Sequence, residues 1–105
     1  MDIRKRDWKL FQTKVAEWQE AYMKKLVVEY IDYLSDETMA ASEKFWGLKE
    51  IIKRDSRKPG VLLELRNSDM EYDTAKLIKD GVITEENLDG FSEEFQNTVL
   101  KILGK

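Results

Sequence analysis

The chain has 105 residues, 42% hydrophobic and 37% charged, with a formal net charge of −3 and neither Cys nor His. Its length fits one domain, and its apolar content is too high for a disordered chain. Without Cys or His there are no disulfides, no thiolate chemistry, no usual zinc ligands and no Ser-His activation of a nucleophile.

The first predicted helix covers about residues 8–34. Trp8, Phe11, Val15, Trp18, Tyr22, Leu26, Tyr30 and Tyr33 recur three or four apart, which draws one apolar stripe along about seven turns. Asp7 is placed to cap it, behind the basic strip Arg4, Lys5 and Arg6. No Pro or Gly interrupts this interval. Beyond Tyr22 the apolar arc widens to take in Met23, Val27, Val28, Ile31 and Leu34. Helices apolar over so much of their circumference are central in a bundle or lie at an oligomer interface. The C-terminal half of this helix is therefore the expected core.

Ser35 reads as the cap of a second helix over about 36–54, with Asp36 and Glu37 at its positive end. Ala41, Phe45, Leu48 and Ile52 form its expected inner face. A short turn between two such helices makes an antiparallel hairpin. Residues 55–60 are a loop, marked by Ser56 and Pro59-Gly60. Residues 61–65 (Val61-Leu62-Leu63-Glu64-Leu65) read either as a short helical piece or as an extended segment lying on the hairpin, because no partner strand is evident.

Three short helices follow, over about 69–80, 85–88 and 93–103. Asn67 or Ser68 caps the first, and Gly81 fits the left-handed position that ends it. Thr84 and Ser92 cap the other two, with Phe91 as a staple and Phe95, Val99, Ile102 and Leu103 as the last buried face. The expected fold is all-α: a long antiparallel helical hairpin with two or three shorter C-terminal helices packed against it.

Several chemistries fail against these residues. Asp69, Glu71 and Asp73 alternate like a calcium loop, but its sixth position would be Thr74 and its twelfth Asp80. Gly60, Gly81 and Gly90 belong to no phosphate-cradling pattern. No metal, cofactor or catalytic residue is implied, and a non-enzymatic chain is expected. The longest apolar runs, such as Leu26 to Val28, are far too short for a membrane span. With no signal-peptide pattern visible, the cytoplasm is the default location.

Two constellations carry functional expectations. Trp8, Phe11, Trp18 and Tyr22 are the expected anchors of an interface with a protein partner or a second copy. This end of the stripe outruns the second helix, unless the C-terminal helices fold back over it. The basic N-terminus would tune a partner's approach. The alternative is a nucleic-acid-associated regulator that contacts phosphates through Lys49, Lys53, Arg54, Arg57 and Lys58, within a basic cluster spanning residues 49–66. Charge argues for only a mild version of this. Residues 1–66 hold 14 Lys/Arg against 12 Asp/Glu, and residues 67–105 hold 4 against 9. A helix-turn-helix reading of the region after Gly81 is weak, because residues 84–94 carry five acids and no base.

Overall fold

Without Pro or Gly to stop it, the first helix runs further than its stripe suggests. In a computed structural model, which describes residues 2–105, α1 spans Ile3–Leu34. At about 1.5 Å per residue its 32 residues are about 48 Å long, which sets the long axis of a molecule measuring 57 × 24 × 18 Å. The cap is Asp2, whose side chain accepts from the Arg4 N–H at 3.1 Å. Asp7, the expected cap, lies inside the helix.

Three more α-helices follow: α2 over Ala41–Asp55, α3 over Met70–Lys79 and α4 over Glu93–Ile102. Two 3₁₀ turns, Asn67–Asp69 and Glu85–Leu88, precede α3 and α4. Among the described residues there is no strand. The all-helical expectation holds, with corrected boundaries. The second helix begins at Ala41 rather than 36, and Ser35 ends α1 with its backbone still in the right-handed helical region. Asp36 explains the delay. Its carboxylate accepts from the Thr38 N–H at 2.8 Å and hydroxyl at 2.6 Å, a local turn that competes with helix formation. Residues 61–65 are neither helix nor strand.

α3 ends as Gly81 predicts. Gly81 has φ 74°, its N–H reaches the Ile78 carbonyl at 3.0 Å, and the Val82 N–H reaches Leu77 at 2.9 Å. These two bonds satisfy carbonyls the helix would otherwise leave open. At α4, Ser92 caps by accepting from the Phe95 N–H at 3.1 Å.

The core sits at the opposite end of α1 from the expected one. Phe11, Val15 and Trp18 are buried against Met70, Ala75 and Leu77 of α3, and against Phe95 and Val99 of α4. Phe91 lies between, stacked on Phe95 at 4.3 Å and tilted against Trp18 at 6.4 Å. These elements make a head on the N-terminal half of α1. The C-terminal half, expected to be central, is covered on one side only. There Leu26 is buried, Tyr30 and Tyr33 are half-buried, and Ile31 is 60% exposed.

Polar contacts fasten the head. The Asp7 carboxylate, buried, accepts from the Ser92 N–H at 2.9 Å and the Ser92 hydroxyl at 2.5 Å, so α1 braces the start of α4. Arg4 ties α1 to α3 through Glu71 at 2.7 Å and the Asn67 carbonyl at 2.7 Å.

Candidate functional site

α2 returns antiparallel along the distal half of α1. The Tyr30 hydroxyl donates to Asp55 at 2.7 Å near one end of the pair, and the Tyr33 hydroxyl to the Glu43 carbonyl at 3.4 Å near the other. Gly47 packs so closely on the Tyr33 ring that a Cβ would overlap the hydroxyl. The side of α2 turned to α1 is therefore built around Gly47, Ile51 and Asp55. This corrects the expected inner face: Phe45 and Ile52 point outward, Phe45 being 65% exposed.

The stripe explains why. Trp18, Tyr22, Leu26, Tyr30 and Tyr33 follow one inward line. Met23, Val27, Ile31 and Leu34 follow a second line, four, four and three apart. Trp18 and Val27 are nine positions, about two and a half turns, apart and so lie on opposite sides of α1. The inward line is satisfied by the head and then by α2. The second line is half-buried at Met23 and open to solvent beyond it. Val27, Ile31 and Leu34 are exposed, and Phe45 and Ile52 of α2 lie beside them.

Together the two helices form one apolar face. A shallow groove of about 570 Å³ runs between Leu34, Ala41, Phe45, Leu48 and Ile52, with Lys44 and Lys49 also on its walls. A second concavity of about 190 Å³, bounded by Met23, Val27, Tyr30 and Ile52, continues it towards the hairpin base. Val28 and Trp46, both more than half exposed, flank the face. Trp46 packs edge-on against Phe45 at 4.9 Å and carries the Lys49 ammonium 5.3 Å from its ring centroid. Contiguous exposed apolar area on this scale marks an interaction surface more often than a free one.

The expected interface anchors are placed elsewhere. Phe11 and Trp18 are buried, Trp8 and Tyr22 half-buried. Trp8 stacks on Phe11 at 5.9 Å, and Tyr22 is covered by Gly60, where any Cβ would overlap its ring. The C-terminal helices do fold back, and the chain itself covers this end of the stripe.

Two of the five expected phosphate contacts are engaged by a carboxylate. Lys49 and Lys53 lie on the outer side of α2, and Arg57 is exposed in the following turn. Arg54 and Lys58 each stand 3.3 Å from the buried Asp55 carboxylate. Burial pushes the Asp55 carboxyl up, but donation from Tyr30, Lys58 and Arg54 outweighs it and holds the group below its ordinary range. In return, burial and then the hydrogen bond to Asp55 push Tyr30 up to about 12. This cluster fastens the base of the hairpin.

Like Asp7 and Asp55, Asp73 is buried. Asp73 sits at the floor of an open concavity near Arg66, Asp69 and Lys76, with Oδ2 lacking a hydrogen-bond partner and closed off from solvent. Burial pushes its carboxyl up. Among the described residues, no group of three or more acidic, Cys or His side chains is arranged to hold a metal ion, and no helix is long and apolar enough to cross a membrane. Comparison with family models, curated proteins and solved structures finds no match to this chain.

Proposed function

We propose that this chain is a small non-enzymatic protein-interaction module that docks through the apolar face of its distal hairpin. The observation that carries this is the outward line Val27–Ile31–Leu34 lying beside Phe45 and Ile52, all exposed on two helices that cover each other on one side only. Burying such a face against a partner supplies the driving force a free two-helix hairpin lacks. Phe45 and Trp46 are aromatics, which are enriched at interfaces, and Trp is among the types that concentrate binding energy. This keeps first-helix association as the mode of action and moves it from Trp8 and Phe11 to the other end of the helix.

A nucleic-acid role draws less support. Two of its five cations are already paired with Asp55, and of the remaining three Lys49 lines an apolar groove rather than a polar one.

The test is photo-crosslinking in cells, with a benzophenone amino acid in place of Phe45 and, as control, in place of Lys79 on the exposed side of α3. A discrete adduct from position 45 and none from position 79 is expected. Absence of any adduct from position 45 overturns the reading.

A further inference from the structure

Resting on that reading, we propose that the occupant of the distal face is a second copy of this chain. Two hairpins would close face to face into an antiparallel four-helix bundle about a two-fold axis.

Area is the first argument. Val27, Val28, Ile31, Leu34, Phe45, Trp46 and Ile52 are each 41–65% exposed and together leave roughly 700 Å² uncovered. A stable protein interface removes about 800 Å² from each partner. The half-buried margins of Met23, Tyr30 and Leu48 supply the remainder. One copy of the face is therefore the size that a single isologous contact needs.

Shape is the second. Two antiparallel helices are half of a four-helix bundle, and a two-fold operation on the same patch supplies the other half. The head does not obstruct it. Phe11 and Trp18 draw α3 and α4 to the side of α1 away from Val27. Two faces can meet while both heads remain outside.

Charge is the third, and it selects the arrangement. Lys49 and Lys53 continue the Phe45 line at four and eight positions and border the face on the α2 side. Asp32, four after Val28, borders it on the α1 side, and Lys24 and Glu20 follow further towards the head. A two-fold axis parallel to the helices sets α1 of each copy against α2 of the other at the same height, so Asp32 meets Lys49. An axis across the helices would set lysine on lysine, which opposes association.

The experiment uses purified protein. Light scattering from about 1 µM to about 1 mM should show the mass rising towards twice the 12.4 kDa of one chain. Ile31→Glu with Phe45→Glu should weaken association at least about 100-fold at unchanged circular dichroism. Val27→Glu with Leu34→Glu, which alters α1 alone, should do the same, so the result does not hang on one variant folding. Since the chain has no Cys, Asp32→Cys and Lys49→Cys each introduce a unique thiol. The mixed pair should oxidise to a disulfide-linked dimer faster than either chain alone. A monomer at every concentration overturns the second copy, as does a dimer indifferent to both face variants. Faster Lys49→Cys self-linkage overturns the arrangement. If the protein is monomeric yet position 45 crosslinks in cells to a chain of different mass, self-association fails and the docking reading survives. Failure of both tests removes the docking reading itself.

Discussion

Asp55 and Tyr30 hold the base of the hairpin with one short hydrogen bond, and the pH dependence of stability follows from how each is displaced. Asp55 lies below its ordinary value of 3.8 because its donors outweigh burial. A group lowered in the folded state contributes stability above its unfolded value and loses it as pH falls through the folded value. That contribution therefore disappears below about pH 4. Tyr30 is displaced the other way, from 10.0 up to about 12. Its neutral phenol contributes below pH 10, and the contribution is lost as pH rises through about 12. From this pair alone melting temperature should stay level between these limits and fall outside them, while Asp73, raised by burial, adds a loss as pH climbs from its unfolded value through its folded one. Tyr30→Phe removes the ionising group and one donor to Asp55, so it should cost about 1 kcal/mol at neutral pH and soften both limbs. Superimposable pH profiles for the variant and the parent would show that the pair does not fasten the hairpin.

At the scale of elements, α1 carries two apolar lines with opposite fates, and substitutions separate them. Phe11→Ala opens a cavity in the head and is expected to cost about 3–5 kcal/mol. Ile31→Asp adds a charge to a side chain already facing water and should cost about 0.5 kcal/mol in dilute protein, mainly through helix propensity. Urea denaturation checks both. Unfolding by Ile31→Asp would return the distal half of α1 to the core and remove the face. The inward stripe was legible because its spacing of three and four persists from Trp8 to Tyr33. Gly81 and Ser92 were legible because their capping chemistry is local. Periodicity does not say what lies opposite a stripe, and so it points to the wrong half of α1 for the core. Met23, Val27, Ile31 and Leu34 read as a broadening of one stripe when the helix is taken alone. Their own spacing marks a second line, as does the seven-residue interval from Phe45 to Ile52 on α2. The link from Asp7 to Ser92 joins positions 85 apart, and no local pattern reveals such a pair.

For the whole molecule, size carries the argument. The radius of gyration is 16.9 Å, against about 13 Å for a compact domain of this length. The excess is the hairpin projecting beyond the head. Local stability follows the density of buried contacts, and the chain concentrates these where α3 and α4 meet the first half of α1. Amides of residues 27–34 and 41–55 should thus exchange with solvent faster than those of residues 11–18, 70–79 and 93–102 in dilute protein. The ordering depends on concentration if the face is closed by a second copy, because burial of Ile31 and Phe45 in the dimer protects the hairpin backbone while leaving the head unchanged. Hydrogen exchange read by mass spectrometry at low and high micromolar protein distinguishes the cases. Slowing confined to the hairpin as concentration rises is the expected result. Uniform protection in dilute protein would show that two helices alone hold the hairpin closed, and the energetic reason for a partner on that face would be gone.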